Sequence, residues 1–263
     1  MAVAVSEGGP RARYREQTRG EIKEIALRQL AEGGISSVAL TRIAKELGLS
    51  GPALYRYFGS RDDLLNALIR DAYDDAAQDI HAAADGAAGQ SPRARLQSLA
   101  GAYRAWAVAH PHRYLLIAGT PLPDYTAPAD TVQRARAVLG PFLAVFTHGE
   151  PTPAVLPLVR ELRDWAQNEP EIAAWVAEWV AESRKPSDGD ADAEGAAGDA
   201  DTEGTAGDAD DAGHALAGAV LAWSRMHGTV SLEVAGQFTG MGHAPRTLFE
   251  ANVDTLADAF RLT

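Results

Sequence analysis

The most constraining feature of this sequence is segment 40–61, which contains the stop and start signals of two short helices within a few residues. Thr41 can cap the first helix through its side-chain oxygen, and Gly48 can take the left-handed conformation that ends it. Ser50 can cap the second helix, and Pro52 is tolerated in its first turn, where a missing N–H costs little. Two helices joined by such a short turn predict a helix-turn-helix.

Apolar residues of the same segment repeat at helical spacing and predict how the two helices pack. Ile43, Ala44 and Leu47 lie three and four residues apart, which places them on one face of the first helix. The small side chain of Ala44 lets the second helix approach closely, so that Leu54 can pack against the first. Phe58 follows at helical spacing and is also predicted to be buried. The outer face is left positively charged and aromatic.

The composition indicates a chain that can bury a sizeable core without covalent cross-links. It has 263 residues, of which 46% are hydrophobic, enough for one large or two ordinary domains. It has no cysteine, which excludes disulfides and thiolate zinc sites. No stretch approaches the roughly 18 to 20 apolar residues that span a bilayer. The amino terminus lacks a basic segment followed by an apolar run, so we expect a cytoplasmic protein without a membrane partner.

Charge is distributed unevenly along the chain. The formal net charge is −12, but residues 1–70 contain eleven Lys and Arg against eight Asp and Glu. Residues 188–211 contain ten acidic residues and no Lys or Arg. Salt limits the reach of a charge to about 8 Å at physiological ionic strength. A locally basic end can therefore bind phosphates even though the rest of the chain is acidic.

Periodicity predicts an all-α chain with a small amino-terminal domain and a larger carboxy-terminal domain, because alternation typical of strands is almost absent. Ser60 and Asp63 resemble a capping box at the start of a long helix, whose apolar stripe begins at Leu64. The predicted parts are a disordered arm at 1–12, a helix-turn-helix domain at 13–59 with a first helix at 13–32, a connecting helix at 60–85 and a helical domain at 86–263.

The carboxy-terminal domain is predicted to contain helices separated by proline-rich breaks. Apolar residues at helical spacing cover 96–106, 132–146 and 155–180, and two final helices are expected at 214–236 and 246–262. Residues 186–213 are mostly Asp, Ala, Gly, Glu and Thr and include no aromatic or branched aliphatic residue. Such a segment cannot bury enough apolar surface to offset the entropy of ordering. We therefore predict a disordered acidic loop there.

The sequence TRIAKELGLSGPALYRYFGSRDDLL at 41–65 resembles the TetR family of bacterial transcriptional repressors. Ala44, Gly48 and Leu54 match the small, turn and packing positions of its helix-turn-helix. WSRMHG at 223–228 resembles the Trp-x-x-x-His-Gly signature of one carboxy-terminal subgroup. The residues that match the family's Tyr-x-Tyr/His-Phe-x-x-Lys pattern, with Arg in place of Lys, are Tyr55, Tyr57, Phe58 and Arg61.

The resemblance implies that the second helix of the motif is a recognition helix, which enters the major groove of a double-stranded DNA operator. Its first residues would face base edges, the arginines would contact guanine or phosphate, and the tyrosines would donate hydrogen bonds to phosphates. For the isolated cations, the alternative is a merely solvated surface charge. The predicted DNA-binding residues are Thr41, Arg42, Lys45, Ser50, Gly51, Pro52, Ala53, Tyr55, Arg56, Tyr57 and Arg61.

The resemblance also implies a small-molecule effector site between the helices of the carboxy-terminal domain. For each aromatic candidate, ordinary core packing is the alternative. His110 and His112 flank Pro111, but no third metal ligand is evident, so we predict a helix boundary there and neither metal nor cofactor. The candidate effector-binding residues are Tyr103, Trp106, His110, Arg113, Tyr114, Phe142, Phe146, Trp165 and Trp223.

The sequence lacks common enzyme motifs: it has no G-x-S-x-G, no H-E-x-x-H and no phosphate-binding G-x-x-x-x-G-K-[ST]. We therefore predict a ligand-responsive repressor rather than an enzyme. It would act as a homodimer, with the helices at 214–236 and 246–262 forming the interface, and leave its operator when a ligand binds. Two alternatives remain: a helical small-molecule binding or enzymatic domain, and an activator that recruits partners through the acidic loop.

Overall fold

A computed structural model of the chain describes residues 9–119, 128–147, 149–183 and 204–263. Within these ranges all regular structure is helical, which confirms the predicted all-α fold class. None of the helices in these ranges combines the length and apolar character that a bilayer crossing requires. In chain order the helices are α1 Pro10–Gly33, α2 Leu40–Glu46, α3 Gly51–Tyr55, α4 Arg61–Gly86, α5 Pro92–Ala109, α6 Pro111–Ala118, α7 Thr131–Phe146, α8 Leu156–Asn168, α9 Pro170–Ser183, α10 Gly204–Val234 and α11 Pro245–Ala259.

Contacts divide the chain into two compact units. The first unit consists of residues 1–72 and 110–131, and the second consists of residues 73–109 and 132–263. Residues 61–72 of α4 therefore belong to the first unit, and the remainder of this helix belongs to the second.

The first unit has an apolar core built by α1, α2, α3 and the start of α4. Phe58 is 3% exposed, which confirms its predicted burial. α6 packs against α1, and Leu116 on α6 packs against the same core. The burial of Leu64 and its neighbours confirms the apolar stripe predicted for the long helix. The core includes the buried side chains of Ile22, Ile25, Leu30, Ile43, Leu54, Leu64, Leu65 and Leu68.

The second unit is centred on α10, which packs against α5, α8, α9 and α11. Gly218 allows a close approach to α7, because a Cβ there would overlap the Phe146 ring. Arg104 on α5 and Glu233 on α10 form a largely buried ion pair, with Nε 2.8 Å from Oε2. On α5, Arg93 hydrogen-bonds Asp258, which raises the pKa of the guanidinium and ties α5 to α11.

Several helix boundaries differ from the predictions. α1 begins at Pro10, so residues 10–12 of the predicted disordered arm are helical, whereas residues 1–8 lie outside the described residues. Proline suits the first turn of a helix because its missing N–H needs no partner there. The helix predicted over 155–180 is two helices, because Pro170 starts a new one. α6 has no counterpart among the predicted helices.

The prediction of a disordered loop is wrong for residues 204–213, because α10 begins at Gly204. Residues 184–203 lie outside the described residues. Arg163 on α8 donates to Asp210 at 2.9 Å, and Gly213 lies close to the carbonyl of Val159. Alanine has the highest helix propensity, so this alanine-containing segment can extend α10 where α8 supports it.

Candidate DNA-binding surface and a cavity in the second unit

The turn between α2 and α3 forms as the sequence predicts. Gly48 has a φ of 65°, the left-handed conformation that ends α2, and the N–H of Leu49 donates to the Ala44 carbonyl at 2.9 Å. The Ser50 hydroxyl accepts a hydrogen bond from the backbone N–H of Ala53 at 3.3 Å and caps α3. The stop signal of the first helix and the cap of the second are therefore confirmed.

The predicted cap at Thr41 is wrong. α2 begins at Leu40 with Ala39 at its N-cap, and no side-chain cap is present at this end within the described residues. The backbone N–H of Ala39 donates instead to Oε1 of Gln29, a buried side chain on α1, at 2.9 Å. A side chain of α1 thus accepts the hydrogen bond of the N-cap N–H at the start of α2, and Thr41 is left exposed.

One side of α3 faces solvent while its opposite side is buried. Leu54 is 1% exposed, whereas Tyr55 is 51% exposed. Among the predicted DNA-binding residues, Ala53, Tyr57 and Arg61 are half-buried. A role in DNA binding stays a prediction for the whole set. Its exposed members are Thr41, Arg42, Lys45, Ser50, Gly51, Pro52, Tyr55 and Arg56.

The exposed cations around α3 are weakly held. Arg42 pairs with Glu32 at 2.8 Å, and both side chains are more than half exposed, so the pair contributes at most about 1 kcal/mol to stability. Lys45 and Arg56 have no ion pair within the part of the chain that the structure describes. These cations can therefore exchange water or a weak partner for a DNA phosphate.

Two other arginines stabilise the helix-turn-helix from within the first unit. Nε of Arg61 donates to the Val38 carbonyl at 3.0 Å, and a terminal nitrogen donates to the Ile35 carbonyl at 2.5 Å. The guanidinium of Arg19 lies 4.4 Å from the centroid of the Phe58 ring, a cation–π contact. These bonds give Arg61 a structural role, and its contact with DNA phosphate stays a prediction.

The structure does not bring the effector candidates together. Tyr103, Trp106, Phe142 and Phe146 are buried in the second unit, as the core-packing alternative expects. Trp165 and Trp223 are 43% and 46% exposed. Effector binding by these residues stays a prediction. The candidates that belong to the first unit are His110, Arg113 and Tyr114.

His110 and His112 lie at a helix boundary, which confirms that prediction. His110 is the N-cap of α6, and Pro111 is its first residue. The described residues contain no group of three or more His, Cys, Asp or Glu that could hold a metal ion.

A cavity of about 560 Å³ lies within the second unit, and none of the effector candidates lines it. The side chains that give the cavity its chemistry lie on α4, α5, α7 and α9, so sequence periodicity does not reveal that they are neighbours. The signal in the sequence is the Gly140-Pro141 pair inside α7, because both residues are unfavourable in a helix interior. The chemically informative lining residues are His81, Asp85, Arg95, Pro141, Glu178 and Trp179.

Pro141 and His81 form one wall of this cavity together. Proline has no N–H, so the carbonyl of Ala137, four residues earlier, loses its helical partner. Nε2 of His81 lies 3.0 Å from that carbonyl oxygen. Because a carbonyl can only accept a hydrogen bond, Nε2 carries the proton, and the bond orients the imidazole ring.

Gly140 determines where the Trp179 ring lies. A Cβ at Gly140 would overlap Cε2 of the indole, so the absence of a side chain lets the ring lie against α7. The Trp179 ring also meets the His81 ring edge-on, with centroids 5.7 Å apart. Two adjacent residues of α7 therefore create the aromatic wall.

Arg95 supplies a cation to the same cavity. Its Nε is buried and has no hydrogen-bond partner within the described residues. Its guanidinium also has no ion pair among those residues. Asp85 and Glu178, the acidic residues of the lining, are exposed. The terminal nitrogens of this guanidinium, rather than its buried Nε, can therefore donate hydrogen bonds to an anion that enters the cavity.

The Trp-x-x-x-His-Gly motif lies on α10. The rings of Trp223 and His227 stack, with centroids 5.6 Å apart and an interplanar angle of 23°. Burial lowers the pKa of His227. Gly228 is exposed, and a Cβ there would meet no described atom within 4 Å. Membership of the subgroup that this motif indicates stays a prediction.

Comparison with known families agrees with this geometry. Residues 22–68 match the family model "Bacterial regulatory proteins, tetR family", and residues 96–256 match "Tetracyclin repressor-like, C-terminal domain". HTH-type transcriptional regulators Rv1816 of Mycobacterium tuberculosis and Mb1846 of Mycobacterium bovis are each 39% identical to this chain over 142 residues. The match covers 54% of this chain and 61% of the length of each relative.

Solved structures extend the similarity over most of the chain. A crystal structure of the protein SCO4313 is 37% identical, with a TM-score of 0.67 over 95% of this chain and 99% of that one. The transcriptional regulator FadR from Bacillus subtilis, in complex with stearoyl-CoA, has a TM-score of 0.51 over 91% of this chain and 98% of that one; at 11% identity it shows the fold alone. Since one family model matches more than half of the residues, and another matches the helix-turn-helix, the chain belongs to the TetR family of bacterial regulatory proteins.

Proposed function

We propose that the protein is a DNA-binding transcriptional regulator that acts as a ligand-responsive homodimeric repressor. The observation that carries the proposal is the exposure of one side of α3 and its surrounding cations, while Leu54 anchors the other side in the core. A helix held in this way can enter a major groove of DNA. The tetR-family models and the relatives named HTH-type transcriptional regulators support this function.

The proposed DNA contacts fall into two chemical groups. Ser50 and Ala53 at the start of α3 would face base edges through a hydroxyl and a methyl group. Arg42, Arg56 and Tyr55 would hold the phosphate backbone on either side or, in the case of the arginines, bond guanine. The first group would set sequence preference, and the second would supply most of the affinity.

We propose that α10 and α11 pair with the same helices of a second copy. One short recognition helix makes few contacts, whereas two copies reach successive major grooves of a palindrome. Trp223 and Leu232 on α10 are 46% and 47% exposed. Gly228 lies between them, and a glycine in a helix interior costs about 1 kcal/mol relative to alanine. Because Gly228 has no side chain, a helix of the second copy could approach α10 closely there, and this packing would offset the cost.

The ligand response requires that a small molecule bind the DNA-bound and released conformations with different affinity. The FadR complex with stearoyl-CoA shows that a protein of this fold can hold a small molecule. We further propose that the chain has no catalytic activity, because the named relatives are regulators. As a regulator of transcription, it would act in the cytoplasm.

The test is binding of the full chain to a fluorescent duplex from the DNA upstream of its own gene, measured by anisotropy at several salt concentrations. Arg56→Met should weaken binding and lower the slope of log affinity against log salt by about 1, because one lost phosphate contact retains about one counterion. Tyr55→Phe should weaken binding with little change in slope, since the hydroxyl is uncharged.

The matched control is Arg160→Met, which removes an exposed arginine from α8 and should bind DNA as the unmodified chain does. Failure to bind the upstream duplex and a random duplex library, or an equal loss in the control, would overturn the proposed DNA-binding function. Sedimentation of the same samples should show a dimer. A monomer that binds DNA with full affinity would remove the homodimer from the proposal.

A further inference from the structure

We propose that the cavity of the second unit binds small organic anions, with a carboxylate or similar oxyanion against Arg95 and a flat apolar body against Trp179. Its role as an effector site rests on the ligand-responsive function proposed above. The cavity volume of about 560 Å³ lies within the range of about 300–1,000 Å³ typical of small-molecule sites. All of its lining residues belong to one compact unit.

The state of Arg95 favours an anionic ligand. The guanidinium has no ion pair among the described residues, and a guanidinium can donate two parallel hydrogen bonds to a carboxylate. An anion in the cavity would therefore supply the counter-charge that the described residues do not give this guanidinium.

The acidic residues of the lining limit the charge of the ligand. Asp85 and Glu178 are both exposed, so solvent screens them, but they would still repel a second or third negative charge. The lining thus favours a ligand with one anionic group over a polyanion such as a nucleoside triphosphate.

The aromatic part of the lining favours a flat apolar body. Trp179 is half-buried and lies against the backbone at Gly140, and the His81 ring touches its edge. The bond from His81 to the Ala137 carbonyl holds this arrangement in place without a ligand. A preorganised aromatic surface binds a planar ligand without losing side-chain entropy.

Small side chains in the lining leave room for a ligand. Ala84 and Ala88 line the cavity at the end of α4 and just beyond it, and Ala144 lines it on α7. Each has only a methyl group, which adds apolar surface without filling the volume. The lining therefore combines the cation of Arg95, the aromatic ring of Trp179 and several small apolar side chains.

The test uses two fluorescent probes with the same ring system and different charge. Anilinonaphthalene sulfonate has one sulfonate, and N-phenylnaphthylamine has the same body without it. Each is titrated into the full chain, and the fluorescence gives Kd. We expect Arg95→Met to weaken binding of the anionic probe about tenfold or more and to change that of the neutral probe less than about twofold. Trp179→Ala should weaken binding of both probes.

Two further variants make the test decisive. Arg160→Met, the exposed arginine on α8, should bind both probes as the unmodified chain does. Gly140→Ala adds a methyl group where the indole lies and should weaken both probes, which covers the case in which Trp179→Ala does not fold. An unchanged Kd of the anionic probe in Arg95→Met, or an equal loss of both probes, would overturn the proposal.

The probe titrations need no DNA, so they separate this proposal from the function on which its effector role rests. Binding of the anionic probe that depends on Arg95 but does not change affinity for the operator would support the anion site and reject its role as the effector site. If a ligand releases the operator but binds Arg95→Met as tightly as the unmodified chain, the ligand-responsive repressor is supported and the anion site at Arg95 is rejected.

Discussion

Arg61 in the first unit and Arg95 in the second are both half-buried, but their guanidinium groups have different surroundings. Arg61 donates to the carbonyls of Val38 and Ile35 and so ties the segment before α2 to the start of α4. Arg95 lines a cavity, and its buried Nε has no partner within the described residues. The same side chain is a structural tie in one region and an available donor in the other.

The two regions also need glycine for different reasons. Gly48 provides the left-handed conformation that a turn needs, and this need arises from its own backbone. Gly140 provides space for Trp179, and this need arises from another helix. The first unit is packed around its core and exposes one side of α3, whereas the second unit contains a cavity that opens to solvent. We therefore look for a partner on the outer surface of the first unit and in the cavity of the second.

The largest expected effect comes from a substitution in the packed core of the first unit. Leu54→Ala should lower the free energy of unfolding by about 2–5 kcal/mol, because it leaves a hole in the core beneath α3. Leu115→Ala is the matched control, since Leu115 lies in the same unit but is 44% exposed, and it should change stability by less than about 0.5 kcal/mol. Urea unfolding measures both. Equal effects would contradict the packing described for α3.

An intermediate effect on stability should come from replacing each of the two arginines with methionine. Arg61→Met leaves two carbonyls without a donor and should cost about 1–3 kcal/mol of unfolding free energy. Arg95→Met removes a donor that has no partner and should leave the stability unchanged or slightly raise it. Urea unfolding of both variants compares them directly. A loss in Arg95→Met as large as that in Arg61→Met would show that Arg95 is also a structural tie.

The same Arg61 variant sharpens the assignment of DNA contacts. If Arg61 contacts phosphate, the variant should also lower the salt slope of DNA binding by about 1, as proposed for Arg56. An unchanged slope together with lost stability would remove Arg61 from the DNA contacts and leave it a purely structural residue.

The smallest effect concerns His227, a half-buried titratable group of the second unit. Because burial lowers the pKa of His227, the unfolded chain binds a proton more readily than the folded chain. Stability should therefore fall as pH drops through the ordinary histidine value of about 6.5, until the folded state is protonated too. His227→Gln should flatten this part of a plot of Tm against pH. His243→Gln, at an exposed histidine, should not; equal slopes in the two variants would contradict the burial effect.

The helix-turn-helix was predictable because its signals act over three or four residues. Gly48 ends α2 and Ser50 caps α3 through bonds to near neighbours in the sequence. The prediction for Thr41 failed because Gln29, ten residues before Ala39, satisfies the start of α2 instead. The boundary of α10 was wrong for a related reason, since contacts with α8 support a segment whose composition alone predicts a loop.

Local patterns along the chain are enough to predict the helical fold class, the turn between α2 and α3 and the resemblance to the TetR family, because helical periodicity, capping signals and the motif at 41–65 each involve residues a few positions apart. The cavity of the second unit arises only in the folded chain, since His81, Arg95, Pro141 and Trp179 lie on four helices. A proline frees a carbonyl and a glycine leaves a space, but neither has a consequence until another helix supplies the donor or the ring. That pairing depends on packing between distant segments, which local patterns in the chain do not specify.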